Sequence, residues 1–238
     1  MKTLFYVNRL YRHALLVLPM LCLSPLASAD FWDPFASPDQ RRYVQAELGS
    51  VPVEPVHPTG TEPAATASAS VRTFGLVLQR AEQSGQFQYG LEGGIRAGYG
   101  SNREMFVRLA GTGSSVKVRS DLWMGDLTFG GFFSIRAAER LRFYVSSGPA
   151  LYWGRASGGD RDTSVAQANG PAVVIDLTEN GDDLGVAWYA RAGVEWMFSP
   201  RTHIGVSVRK MDARMDFGSR GRVHMDEPSY LVTLGYVY

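Results

Sequence analysis

The chain has 238 residues, 45% of them hydrophobic and 12% aromatic, and its formal net charge is +1. This balance excludes the strongly basic surface that nucleic-acid-binding proteins need, so we expect no nucleic acid among its partners. The only cysteine is Cys22, which excludes a scaffold held by disulfides within the chain.

The first 29 residues have the three parts of a secretory signal peptide. Three basic side chains precede an apolar run over 14–23, and Ala27, Ser28 and Ala29 supply the small residues of a cleavage site. The run has about ten residues, whereas a helix needs about twenty to cross a bilayer. We therefore predict an exported protein from which residues 1–29 are removed. Cleavage would lower the basic count from 24 to 21 against 23 acids, a net charge of −2 without any cysteine.

Residues 30–70 form the next predicted segment. Its composition is rich in proline, alanine, serine and threonine, and Pro52, Pro55, Pro58 and Pro63 interrupt it. Because proline has no backbone N–H to donate to a sheet, we predict a flexible periplasmic segment without regular pairing.

From residue 71 onward, apolar and polar residues alternate in segments separated by turn residues, which is typical of β-strands. Because no helix-length apolar segment follows residue 26, an exported chain that crosses a membrane must do so as a closed barrel. We therefore predict an all-β fold, a transmembrane antiparallel up-and-down β-barrel of eight strands over 71–238. Six predicted strands are 86–99, 121–136, 141–155, 184–198, 203–217 and 228–238, and two more come from 71–83 and 103–118, where the register is ambiguous.

The apolar faces of these strands carry aromatic residues towards their ends and smaller residues, such as Ala97 and Ala190, between them. This pattern predicts two aromatic girdles around a lipid-facing band. The predicted membrane-interface aromatics are Tyr89, Tyr99, Trp123, Trp153, Trp188, Trp196, Phe198, Tyr230 and Tyr236.

The opposite faces carry arginine and carboxylate side chains among glycines. The lumen of a small barrel is too narrow to hydrate these charges, so we predict that they pair across it. The predicted ion-pair network comprises Glu92, Arg96, Asp126, Arg136, Arg142, Arg191, Glu195 and Arg209.

The last segment, 230–238, alternates strictly and ends in an aromatic residue. It resembles the terminal strand of bacterial outer-membrane barrels, whose final residues are recognised by the barrel-assembly machinery. The resemblance assigns this signal to Leu234, Tyr236 and Tyr238. Over 71–238, the alternation of short turns and long loops resembles the small outer-membrane barrels of the OmpA transmembrane domain, OmpX and OmpW type.

That resemblance implies a monomer in the bacterial outer membrane, surrounded by lipid and lipopolysaccharide and inserted by the assembly machinery. It does not fix an activity, since members include adhesins, structural anchors, small pores and lipid-modifying enzymes. We expect a structural or surface-interaction role with contacts through the long loop 156–183, in which 171–176 could extend the barrel strands. The alternatives are a lipid A-modifying enzyme, a small pore and a soluble ligand-binding barrel of the lipocalin type.

Signs of catalysis are weak in the sequence. His203 and Ser207 share one strand face, as in barrel enzymes that deacylate lipid A, but His203 adjoins a turn on the predicted periplasmic side. We therefore predict no catalytic residue, no metal and no cofactor. A divalent-ion site in the outer loop is the open alternative to an ordinary solvated loop, and its acids are Asp160, Asp162, Asp176, Asp182 and Asp183.

Overall fold

The computed structural model describes residues 40–56, 69–108, 115–158, 162–167, 170–176 and 180–238. The predicted signal peptide, 1–29, lies outside these residues and stays a prediction. Within the described ranges, no helix has both the length and the apolar character that a membrane-crossing helix needs.

The described chain is almost entirely β-strand, as the alternating sequence predicts. One turn of 3-10 helix, Gly218–Arg220, is the exception among the described residues. The strands are β1 (Gln40–Pro55), β2 (Ala69–Ser84), β3 (Phe87–Arg108), β4 (Ser115–Ala138), β5 (Leu141–Ser157), β6 (Asp162–Gln167), β7 (Gly170–Asp176), β8 (Gly181–Met197), β9 (Thr202–Met211), β10 (Ala213–Asp216), β11 (Arg222–Met225) and β12 (Ser229–Val237).

Eight strands close into a ring, which confirms the predicted fold class. The order around it is β1-β12-β9-β8-β5-β4-β3-β2, and β2 pairs back with β1. Neighbours such as β12 and β9, or β5 and β8, run antiparallel. β10 and β11 pair with each other and prolong the last hairpin beyond β9 and β12.

The two ends of the ring differ. One end, which we call the short-turn end, carries the connections 85–86, 139–140 and 198–201. Gly85, in the two-residue connection 85–86, has φ of +62°, a conformation that favours glycine. The opposite end, the loop end, carries the longer connections, including the loop between β5 and β8. Within that loop β6 and β7 form a separate two-stranded sheet, so 171–176 does not extend the ring and that expectation is wrong.

The first strand of the ring lies where the sequence predicts a flexible segment. β1 pairs with β12 from Tyr43 opposite Val237 to Ser50 opposite Tyr230. The prediction for 30–70 is therefore wrong over 40–55, and the barrel begins well before residue 71. Pro52 falls after the last partner in β12 and before Glu54, the first residue paired with β11, so its missing N–H removes no bond from either ladder.

The separate strand predicted over 103–118 is also wrong. Arg103 pairs with Ser120 and Val107 with Val116, so this stretch is the far end of the β3–β4 hairpin. A register shift between Gly100 and Arg103 interrupts the alternation there. That bulge makes one long strand resemble two in the sequence.

Burial along the strands is inverted relative to a soluble sandwich. In β5, inward side chains from Arg142 to Ala156 are buried and the side chains between them are exposed. On β8, Val186 is 73% exposed whereas Tyr189, on the other face, is 1% exposed. The apolar faces of the strands therefore point outward, and the charged faces point into the lumen.

Candidate functional site: the interior of the barrel and its two ends

The middle of the lumen holds a balanced set of buried charges, which we call the ion-pair network. No member is more than 6% exposed. Because four carboxylates face four guanidinium groups, the network has no formal net charge. Its members are Glu47, Glu92, Asp126, Glu195, Arg96, Arg142, Arg191 and Arg209.

Arg191 and Glu47 join opposite walls of the ring. Arg191, from β8, binds Glu47 on β1 through one nitrogen and places the other 2.5 Å from Glu92 Oε2 on β3. Glu47 also accepts a hydrogen bond of 2.5 Å from Arg96 Nη2. Each of these carboxylates is thus held by strands that are not its neighbours in the sheet.

Two further pairs complete the network. Arg142 Nη2 lies 2.8 Å from Glu195 Oε2, and the Arg142 guanidinium sits 4.0 Å from the ring centroid of Tyr43. Arg209 Nη2 lies 2.9 Å from Asp126 Oδ1, whose other oxygen is 3.5 Å from Arg96.

Neutral side chains satisfy much of the remaining hydrogen-bonding capacity. Glu92 accepts hydrogen bonds from Gln79, Ser146 and Tyr189 at 2.7, 2.9 and 3.1 Å. Arg142 donates to Gln79 Oε1 at 3.0 Å. A buried charge is costly unless it is paired and hydrogen-bonded, so these contacts let a narrow barrel contain eight ions. The lumen at this level is filled by side chains.

The structure brings together seven of the eight residues predicted for the network. Arg136 is the exception, because it is only half-buried and lies at the short-turn end. Arg191 and Arg209 pair across the lumen with residues of non-neighbouring strands, whereas Arg142 and Glu195 are directly opposite each other on β5 and β8. Glu92 and Arg96, which are close in sequence, bind different partners. Sequence reasoning missed Glu47 because the prolines of 30–70 argued against a strand there. The alternation of Tyr43, Gln45 and Glu47 with Val44 and Ala46 is the signal that could have found it.

His203 lies inside the barrel, next to the network. Its side chain is fully buried, and Nε2 is 3.5 Å from Glu195 Oε2 and 3.4 Å from Gln45 Nε2. A Cβ added at Gly235 would lie 2.1 Å from the His203 ring, so the ring occupies space that only a glycine leaves free. His203 and Ser207 are both buried, so a molecule on the outer surface of the barrel cannot contact this pair.

All nine aromatic residues predicted for the girdles are on the outer surface, with exposures from 36% at Trp153 to 69% at Tyr230. Tyr99 and Trp123 contact each other with ring centroids 4.5 Å apart towards the loop end. Phe87 and Phe133 stack at 5.8 Å towards the short-turn end. Leu234 and Tyr236 of the predicted assembly signal are exposed on the outer face, and Tyr238 is half-buried.

The loop end of the lumen is packed with apolar side chains. Four methionines lie in this cluster with Leu122, Tyr152 and Phe217, all at most 7% exposed. The methionines are Met124, Met211, Met215 and Met225. This apolar layer lies on the loop-end side of the ion-pair network, and its side chains are buried against one another.

The tip of the last hairpin, 213–225, contributes much of that layer. Arg220 is 3% exposed and donates a hydrogen bond of 2.5 Å to Gly158 O, just beyond the loop end of β5. At the base of the tip, His224 Nε2 lies 2.8 Å from Asp212 Oδ1. This hydrogen bond lowers the pKa of Asp212 below its ordinary value. The tip therefore folds over the opening of the barrel.

The acidic outer loop is described only in part. Asp160 lies outside the described residues, and the side chains of Asp162 and Asp176 are not described. Asp182 lies 3.5 Å from Arg155, and Asp183 accepts a hydrogen bond from Asp216 N at 2.8 Å. Within the described residues, no group of acidic, histidine or cysteine side chains has the arrangement of a metal site.

No protein-family model matches the sequence, and no curated protein matches it. Among solved structures, Ail, the attachment invasion locus protein of Yersinia pestis, is 12% identical with a TM-score of 0.47, over 84% of this chain and 99% of that chain. The outer membrane protein OprG from Pseudomonas aeruginosa is 11% identical with a TM-score of 0.47, over 84% and 94%. The N-terminal β-barrel domain of Pseudomonas aeruginosa OprF is 12% identical with a TM-score of 0.36, over 83% and 97%. At these identities the likeness concerns the fold alone, a small closed β-barrel.

Proposed function

We propose that this protein is an integral barrel of the bacterial outer membrane, with a structural or surface-interaction role and no catalysis. The observation that carries the proposal is the outward apolar band. Val186, Val206 and Leu234 are between 57% and 73% exposed, on strands whose inner faces bury ions. Such a surface is stable only in hydrocarbon, because in water it would be one continuous exposed apolar patch.

The limits of the band support the same assignment. Along β9 and β10 the outward residues are apolar up to Val208 and polar from Lys210 onward, through Asp212, Arg214 and Asp216. The aromatic residues lie towards both edges of the band, as girdles at the two interfaces of a bilayer do. We infer that the short-turn end faces the periplasm and the loop end faces outward, because this class places its long loops outside.

The partners that follow from this placement are the lipid and lipopolysaccharide around the band, and the barrel-assembly machinery during insertion. We assign recognition by that machinery to Leu234, Tyr236 and Tyr238. Contacts outside the cell would involve the 156–183 loop and its β6–β7 hairpin. The protein acts as a monomer in this proposal, since its ring is closed by its own strands.

Fractionation and electrophoresis test the proposal. We expect the protein in the outer-membrane fraction, extractable only with detergent, and we expect the unheated sample to migrate differently from the boiled one because the closed barrel resists denaturation. A protein that stays soluble without detergent would contradict the proposal and favour the lipocalin-type alternative.

The enzymatic alternative has a separate test. If His203 and Ser207 deacylated lipid A, deletion of the gene would change the acyl composition of lipopolysaccharide, and His203→Ala would reproduce that change. We expect neither effect, because both side chains are enclosed by the barrel.

A further inference from the structure

Arginines from three parts of the chain converge on one cavity at the short-turn end. The cavity has a volume of about 380 Å³ and is lined by Arg41 from β1, Arg136 from β4 and Arg140 from the 139–140 turn. Backbone hydrogen bonds hold the scaffold of the site: Arg136 N donates to Gln86 O at 2.9 Å, and Met197 N donates to Arg140 O at 2.8 Å.

The charge of this cavity is not balanced. Glu139 is the one carboxylate in its lining, against three guanidinium groups. Within the described part of the chain, no ion pair joins Arg41, Arg136 or Arg140 to a carboxylate. This differs from the lumen, where each arginine of the network has an acidic partner. Arginine presents several N–H donors in a fixed plane, a geometry that suits phosphate oxygens.

The rest of the lining is apolar. Met197, Phe198 and Pro200 come from the end of β8 and the turn that follows it. Phe198 is 55% exposed on the outer face, where Trp196 and Ile204 of the lipid-facing band are also exposed. The cavity therefore continues from a cationic inner rim to the edge of the apolar band. A free phosphate ion would use only the cationic half of such a site.

We propose that this cavity binds the headgroup of an anionic phospholipid in the leaflet at the short-turn end, with the phosphate at the three arginines and an acyl chain beside Phe198. The inference rests on the proposed function, because it requires the band to lie in a bilayer. It adds a lipid site that the apolar band alone would not create.

Lipid retention in native mass spectrometry tests the proposal. The folded protein in mild detergent is mixed with phosphatidylglycerol, with phosphatidylcholine or with inorganic phosphate. The test variant is Arg136→Gln with Arg140→Gln, and the control is Arg214→Gln, an exposed outward arginine at the loop end. We expect the wild type and the control to retain phosphatidylglycerol in preference to phosphatidylcholine. The paired variant should bind phosphatidylglycerol on the order of tenfold more weakly, because it loses charge-assisted hydrogen bonds.

The outcomes separate the two proposals. Migration that does not change on heating the wild type would overturn the proposed function itself. A heat-modifiable barrel whose paired variant retains phosphatidylglycerol as the wild type does would overturn only the lipid site. Displacement of the lipid by equimolar inorganic phosphate would show a simple phosphate site and would also overturn it. Because Arg140 is an exposed turn residue, Arg140→Gln alone supplies the comparison if the paired variant does not fold.

Discussion

At the scale of single residues, Glu47 links two strands of the ion-pair network, because its carboxylate pairs with Arg96 of β3 and with Arg191 of β8. Replacing it by glutamine leaves Arg191 with Glu92 and leaves Arg96 with only the longer contact to Asp126. Because a buried charge would lose its partner, we expect Glu47→Gln to lower the free energy of unfolding by about 3–5 kcal/mol. Urea titration of the protein folded into lipid vesicles measures this.

Glu82 provides the matched control for that prediction. It is an exposed residue of β2 near the short-turn end, outside the network. Glu82→Gln should change the unfolding free energy by less than about 0.5 kcal/mol. Equal losses of unfolding free energy in the two variants would show that Glu47 does not stabilise the barrel through the ion-pair network.

Gly235 tests the packing around His203. A methyl group there would lie 2.1 Å from the His203 ring, which has no exposed side on which to move. We expect Gly235→Ala to destabilise the barrel by about 1–3 kcal/mol through overpacking. Gly93→Ala is the control, since its nearest neighbour would be Thr128 O at 3.8 Å.

A second substitution makes the Gly235 prediction specific. Adding His203→Ala removes the ring that the new methyl group meets, so the double variant should lose less stability than the two single changes together. If the stability losses of the two single variants simply add in the double variant, the new methyl group does not clash with the His203 ring.

At the scale of strands, the apolar band predicts that the cost of an outward charged residue depends on its depth in the band. Val206 is 57% exposed on β9, between the aromatic residues of the two edges. Arginine at this position would have to enter hydrocarbon, so Val206→Arg should cost about 2–4 kcal/mol in vesicles. The identical change at Val56, at the loop-end limit of β1, should cost about 1 kcal/mol or less. Similar small losses at both positions would mean that the band faces water.

The strands also show where sequence reasoning succeeds and fails. Alternation identified β5, β8 and β12 because in each the outward face is mostly apolar and the inward face carries most of the polar residues and glycines. It failed at β1, where the prolines count against a strand, although Pro52 lies between the two ladders and Pro55 lies at the last pair with β11. It failed again at 103–118, where a bulge imitates a strand boundary. The count of eight was right only because these two errors offset each other.

The same contrast applies to the candidate site. Residue types alone identified seven members of the network, since buried arginines and acids in a narrow barrel must pair. The partners that pair across the lumen, such as Arg191 with Glu47, could not be predicted, because they depend on the register and stagger of the closed ring. The fold of the tip 213–225 over the barrel mouth was likewise not visible in the sequence.

At the scale of the whole molecule, the interior should not conduct. The ion-pair network fills the middle of the lumen, and the apolar layer with Met215 and Phe217 closes it at the loop end. We expect no stable conductance when the purified barrel is added to planar lipid bilayers. If the Glu47→Gln variant folds, it serves as a comparison, because the loss of the two ion pairs of Glu47 leaves the apolar layer in place. Reproducible unit steps in the wild type would contradict this.

Because β1 and β12 close the ring, the barrel cannot be completed until the last strand has been synthesised. β1 pairs with β2 on one side, but its ladder with β12, from Tyr43 to Ser50, forms only when 230–237 has arrived. The carboxylate of Glu47 meets guanidinium groups that β3 and β8 supply. A polypeptide halted before its final hairpin would thus present an open edge at each side, and Asp126 would lack Arg209, its nearer partner. A partial barrel therefore gains little stability from the strands that have already paired. We expect the barrel to fold in a single cooperative step after synthesis is finished.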